Sequence, residues 1–182
     1  MDCEMGGREL KYSLLTAYFM VTNDKFENLG DLYLQVKPDD GGEYVLSGQG
    51  MAVNGINIQE HDKVAIPYKQ AKPMLYDFLR KMAKGMHLVP VGHGVKGDIE
   101  HVLDKLLSRG SWEQHCSYHY IDTSVVLQYL RACGKMPYDT DGSVSALASH
   151  FNIDVDKNIL HNAKYDTQLT AEVFQKMIEL GK

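Results

Sequence analysis

The apolar residues at the start of the chain have strand spacing and most of those downstream have helix spacing, and that change limits the folds open to it. Between Tyr12 and Val21 the residues are apolar and β-branched enough for a strand, with Leu15, Ala17, Phe19 and Val21 on one face. Asp31 to Lys37 sets Leu32, Leu34 and Val36 against Tyr33, Gln35 and Lys37, the period of a second strand. Asn23-Asp24 and Asn28 to Gly30 supply turn residues between the two, which predicts an antiparallel hairpin or meander. A loop follows from Pro38 to Gly50, rich in Gly and Asp, with one short extended piece near Tyr44 to Leu46. Downstream the period lengthens. Leu75, Phe78, Leu79 and Met82 mark a helix over Lys72 to Met82, closed by Gly85. Ile99, Val102, Leu103, Leu106 and Leu107 mark another over Asp98 to Leu107, with Gly110 just past its end. His87 to Val91 and Tyr118 to Ile121 read as short strands. Two more helices carry Val126, Tyr129, Leu130 and Cys133, then Val144, Leu147, Ala148 and Phe151, before a last helix from about Ala163 to Leu180. Strands first, then helix and strand in alternation, predict an α/β fold in which a mixed sheet carries helices on its faces.

A chain of 182 residues can bury one sizeable core, and no repeat or linker divides it, so residues 1–182 are expected to form a single domain. No apolar run reaches membrane-spanning length and the first residues lack the sections of a signal peptide, so a soluble cytoplasmic protein is expected. Cys3, Cys116 and Cys133 are an odd, sparse set that suits reduced thiols. The net charge of −5 argues against a protein that tracks long duplex nucleic acid, which calls for a basic surface. It is compatible with gripping a strand end where bound cations neutralise the phosphate.

Four acidic residues and one histidine stand out. In a strand, Asp2 and Glu4 project to one face and Met1, Cys3 and Met5 to the other. Two carboxylates side by side repel each other and are costly to desolvate unless a cation sits between them; the alternative is a frayed, solvated end. Asp98 opens its helix after the glycine-punctuated His93-Gly94-Val95-Lys96-Gly97, where an N-cap is the ordinary role. Asp166 belongs to the stripe of Leu169, Val173, Met177 and Leu180 that faces the core, so its carboxylate needs a partner, whether a helix end or a ligand. His161, five residues earlier, lies at the entrance to the same helix, where a histidine is most often surface or cap. Together these residues suggest a hard cation such as Mg²⁺ or Mn²⁺, which carboxylate oxygens and water hold.

Asp2-Cys3-Glu4-Met5, the run Val91 to Asp98, and His161-Asn162-Ala163-Lys164-Tyr165-Asp166 resemble the three exonuclease motifs of the DEDD superfamily. The histidine five residues before the last aspartate resembles the DEDDh branch, which includes the proofreading subunit of bacterial replicase, RNase T and oligoribonuclease. Asn54-Gly55-Ile56, Ile121-Asp122-Thr123 and Leu147 to Phe151 sit where that family has similar stretches, and the stretch from Met51 to Ile58 is closest to RNase T-like members. The resemblance implies an RNase H-like fold with a mixed five-stranded sheet and helices on both faces. It implies a 3′→5′ exonuclease acting on the 3′ end of single-stranded DNA or RNA and releasing nucleoside 5′-monophosphates. Asp2, Glu4, Asp98 and Asp166 would hold two divalent ions, Mg²⁺ or Mn²⁺, about 3.5 to 4 Å apart. His161 would be the general base. Met5 and the backbone of Gly6 and Gly7 would approach the terminal nucleotide, since glycine permits close contact. Homodimers are common in the branch.

Two departures from the family pattern follow. Only Met1 precedes Asp2, where the family has a complete strand, so the first strand is expected to be truncated, and Gly94 stands where an Asn is common. A non-catalytic nucleic-acid-binding or scaffolding module of the same fold is the alternative reading. A zinc site at His115, Cys116 and His119 lacks a second ligand pair at finger-like spacing. A thiol enzyme using Cys3 is disfavoured because alternation turns that side chain away from the acidic face.

Overall fold

A computed structural model describes residues 1–182. Strand β1 (Asp2–Met5) pairs antiparallel with β2 (Leu14–Thr22), which pairs antiparallel with β3 (Asn28–Lys37). Two seven-residue helices follow, α1 (Gly48–Asn54) and α2 (Ile58–Val64), started by the side chains of Ser47 and Asn57, which accept from backbone N–H groups of the first turn. The short β4 (Ile66–Pro67) runs parallel to β3 and completes a sheet of order β1-β2-β3-β4.

Helix α3 (Tyr68–Ala83) begins one turn earlier than its apolar stripe suggests and holds Pro73 in its second turn, where the ring removes the N–H that would pair with the Lys69 carbonyl. It is followed by β5 (Val91–Gly92), α4 (Lys96–Lys105), α5 (Arg109–Glu113), β6 (Ile121–Asp122), α6 (Thr123–Ala132), α7 (Val144–His150) and α8 (Ala163–Gly181). Strands β5 and β6 form a separate parallel pair, with one further bridge between Leu88 and Cys116.

The architecture is mixed α/β as expected, with one correction. The main sheet has four strands, not five. Pairing of β1 with β2 starts at Asp2↔Tyr18, and a single hydrogen bond, Met1 N–H to Val91 O at 2.8 Å, links β1 to β5. One bond does not make a ladder, so β5 and β6 stand apart from the main sheet.

Helices cover both faces. On one, Cys3, Ala17, Phe19, Leu34 and Val36 pack with Ala71, Leu75 and Leu79 of α3 and with Val102, Leu106 and Trp112. On the other, α8 crosses β1 and β2. A second core of Leu127, Leu130, Leu147, Leu169, Val173 and Met177 joins α6, α7 and α8. Because β2 is covered on both sides, Leu14 to Phe19 are all buried, and the two-face alternation expected there is lost. Tyr129, expected with the apolar face of α6, points to solvent, and Leu127 takes its place in the core. No helix is long and apolar enough to cross a membrane.

Candidate active site

Strand alternation does to β1 what its sequence requires: Cys3 is buried among core residues and Asp2 and Glu4 turn to the α8 side. Asp98 arrives from the third position of α4 and is buried, at 6% exposure. It does not cap its own helix through the usual N-cap position, which Val95 holds without a side-chain bond. Instead its Oδ1 accepts from Cys3 N–H at 3.2 Å, which ties α4 to β1 between the two acidic residues. The loop leading into α4 is fixed from behind by Asp122, which accepts from Gly94 N–H at 2.9 Å and from Ser124 N–H at 2.9 Å. Gly94 has φ +68°, a left-handed conformation that Gly and Asn both tolerate. His93 Nδ1 lies 2.8 Å from Thr123 Oγ1 in the same corner.

Asp166 lies in the first turn of α8 and faces inward, while Asn162 caps the helix by accepting from Lys164 and Tyr165 N–H. One Asp166 oxygen, Oδ2, accepts from His161 N–H at 2.9 Å, so the carboxylate serves the helix end and the cluster together. His161 is exposed and has φ +62°, an uncommon conformation for a residue with a Cβ. That turn brings its ring to Glu4 and Asp166, and ligand atoms of Glu4, His161 and Asp166 all lie within 4.8 Å of one another.

Electrostatics bind Asp2 and Asp98 to that trio. Burial raises the pKa of Asp2 well above the carboxylate range, and the charges of Asp98, Glu4 and Asp166 raise it further. Glu4 is pushed up to about 8 by burial, then by Asp166 and Asp98. Asp98 is pushed up to about 7 by burial, partly offset by the Met1 ammonium and by its bond from Cys3 N–H. Asp166 is raised by burial against the pull of its bond to His161. Burial holds all four carboxylates against ionisation, and a positive charge placed among them would relieve that cost. Oxygen donors with one imidazole at the edge suit a hard divalent cation.

Gly6 and Gly7 are buried, and the protein itself needs their bare Cα atoms. A Cβ on Gly6 would lie 2.7 Å from Val45 O and 2.8 Å from Leu46 Cδ2, and one on Gly7 would meet the Tyr12 ring at 2.5 Å. Ser47 N–H and Oγ–H both reach Gly6 O, which pins the loop before α1 onto the end of β1. Met5, half-buried at a bulge, has its carbonyl held by Asn54 Nδ2 at 3.0 Å.

Residues missed in the sequence share the face of Glu4. Pairing sets Glu4, Thr16 and Gln35 in one cross-strand row, and Asp2, Tyr18 and Tyr33 in the next. Glu4, Thr16, Gln35 and Tyr33, together with Asn54, Ile56 and Asn57, border a cavity of about 450 Å³ that opens beside His161. Thr16 Oγ1 is buried there with no hydrogen-bond partner. Only strand register reveals this row, and register is invisible before the strands are paired.

The other candidates lie elsewhere. Cys116 is buried and its thiol is pushed up to about 12, His115 packs against Tyr76 and His119 against Tyr118, so the three are not drawn together. Burial raises the Cys3 thiol as well, away from a reactive thiolate.

No family model and no curated protein matches the chain. Solved structures do. The chain superposes on exonuclease I with a TM-score of 0.71 and 16% identity, over 98% of this chain and 39% of that one. The fold is that of exonuclease I. An E. coli exonuclease I complex with a dT13 oligonucleotide gives 0.68 and 17% identity over 97% and 39%. A zinc-bound form of an E. coli exonuclease I complex with single-stranded DNA gives 0.68 and 16% over 97% and 38%. The chain thus spans about two fifths of the length of these neighbours.

Proposed function

We propose that residues 1–182 form a metal-dependent 3′→5′ exonuclease domain of the DEDDh type, acting on single-stranded DNA or RNA ends and releasing nucleoside 5′-monophosphates. The observation that carries the reading is the convergence of Asp2, Glu4, Asp98 and Asp166, from two strand positions and two helix starts, on one spot where burial raises all four pKa values and the neighbouring carboxylates raise those of Asp2 and Glu4 further. Shared fold with exonuclease I, whose solved complexes hold single-stranded oligonucleotides, supports it.

In this reading the four carboxylates hold two Mg²⁺ or Mn²⁺ ions. Bound there, such ions lower the pKa of a coordinated water and stabilise the attacking and leaving oxygens of an in-line displacement. Asp98 and Asp2 lie deepest and set the floor of the site, and Glu4 and Asp166 close its outer side. His161 is solvent-exposed beside Glu4 and Asp166, where a neutral imidazole accepts a proton from the attacking water and passes it to solvent. The cavity past Glu4 is of nucleotide size, and the partly exposed Tyr33 ring offers a face for a base to stack on. Met5 and the backbone of Gly6 and Gly7 contact the terminal nucleotide from the bulge that ends β1.

The test is degradation of short 5′-labelled single-stranded DNA and RNA in Mn²⁺. The expected result is a ladder shortening from the 3′ end, abolished by chelator and by Asp166→Ala. Binding of the oligonucleotides without cleavage, with metal present, would replace this reading by a non-catalytic nucleic-acid-binding module.

A further inference from the structure

The cavity beside Glu4 holds a polar group that the acidic cluster does not use. Thr16 is 3% exposed and borders the cavity, and its Oγ1 has no hydrogen-bond partner in the protein. Burial raises the pKa of the Tyr33 hydroxyl and the neighbouring Thr16 oxygen offsets part of the rise, so the two are close, yet no hydrogen bond joins them. A buried hydroxyl left without a partner costs stability, and an apolar residue at position 16 would avoid that cost. Thr16 stands opposite Glu4 of β1 and opposite Gln35 of β3, and all three border the cavity. Neighbouring strands lie about 5 Å apart, so the row steps outward from Glu4 at roughly 5 and 10 Å. A nucleotide whose phosphate is held at the acidic cluster lays out its ribose and then its base in the same order.

On the nucleotide reading of this cavity, on which the inference rests, we infer that Thr16 selects the sugar: its hydroxyl pairs with the 2′-hydroxyl of the terminal nucleotide, so the site prefers an RNA 3′ end to a DNA one. A threonine hydroxyl and a ribose hydroxyl each donate and accept, so the bond forms either way round. Of the two sugar hydroxyls, the 3′ group is on the carbon nearer the phosphate arm and falls on the Glu4 side. The 2′ group adjoins the carbon that carries the base and falls on the Thr16 and Gln35 side. A terminal deoxyribose leaves Thr16 Oγ1 unpaired while the bound nucleotide seals it from water, and such an unmet polar group is what rejects a substrate lacking the hydroxyl.

The test uses two oligonucleotides of one sequence, deoxy throughout except that the terminal nucleotide of one is ribo. With the intact chain in Mn²⁺, kcat/KM for removal of that nucleotide is expected to be about tenfold higher on the ribo end, the worth of one hydrogen bond. Thr16→Val keeps the side-chain shape and brings the ratio close to one, with a raised melting temperature because the orphan hydroxyl is gone. Thr16→Ser retains the preference. The same two oligonucleotides are titrated by anisotropy in Ca²⁺, which reads the sugar preference without turnover. Tighter binding of the ribo end that Thr16→Val abolishes, with no cleavage of either oligonucleotide, would retire the exonuclease reading and keep the assignment of Thr16. Equal kcat/KM and equal affinity for the two ends, no binding of either, a ratio that Thr16→Val leaves unchanged, or a preference that Thr16→Ser also loses overturns it.

Discussion

Asp2, Glu4, Asp98 and Asp166 are each ordinary alone and unusual as a set. Asp2 and Glu4 were legible as a same-face pair because strand alternation needs only the sequence. The roles of Asp98 and Asp166 were not, because a carboxylate in a first helical turn serves equally well as a cap. Asp98 turns out to bond across to Cys3 N–H, and Asp166 both bonds back to His161 and faces Glu4. Thr16 and Gln35 escaped notice because nothing in a strand sequence says which residue of the neighbouring strand lies opposite. Replacing the His161 imidazole separates its two conceivable duties. Removal of a general base costs roughly 10² to 10⁴ in rate. His161→Ala is therefore expected to lose about that much exonuclease turnover while Mn²⁺ affinity, which the proposed function assigns to four carboxylates, changes less than tenfold by calorimetry. An equal loss in both would make His161 a ligand.

The same carboxylates make stability depend on pH in a direction opposite to the common one. Glu4 rises from 4.5 to about 8 on folding, so the folded state binds its proton more tightly than the unfolded chain. That contribution is fully present below the unfolded value and is lost as pH rises through the folded one, so the metal-free protein weakens between about pH 4.5 and 8. Glu4→Gln removes the loss. At pH 8 and without metal it is expected to melt about 5 °C above the parent, and with Mg²⁺ the order should reverse, since the parent gains more from the cation. Thermal melts over that range, with and without chelator, check both halves.

Among the elements, the long ones announced themselves. Helix α8 matches its apolar stripe because it packs one face on β2 and on α7. Helix α1 buries no residue and α2 buries only His61, so neither leaves a stripe to read; their caps, Ser47 and Asn57, are the sole local signal. Strands β4, β5 and β6 are two residues each, too short for a period. The end of β1 depends on close backbone approach. Gly6→Ala would force its Cβ against Val45 O and Leu46, and is expected to destabilise by about 2 kcal/mol in denaturant titration. It should also cut activity, because the loop pinned to Gly6 O leads into α1, whose last residue Asn54 holds Met5.

At the scale of the whole molecule, the sheet acts as a plate with different work on its faces. One face packs on α3 and supplies the main core; the other turns acidic residues toward the starts of α4 and α8. Fold class followed from the order of strands and helices. The division of the expected five-stranded sheet did not, since it turns on the single hydrogen bond between Met1 and Val91. The central claim is that the acidic cluster exists to hold divalent cations, and protons bound to Glu4, Asp2 and Asp98 must leave when a cation enters. The most direct test is calorimetric titration of Mn²⁺ near pH 7 in buffers of different ionisation enthalpy. The account predicts two bound ions per chain with net release of at least about one proton, and loss of that release in Glu4→Gln. Binding without proton release, or no binding at all, would contradict it.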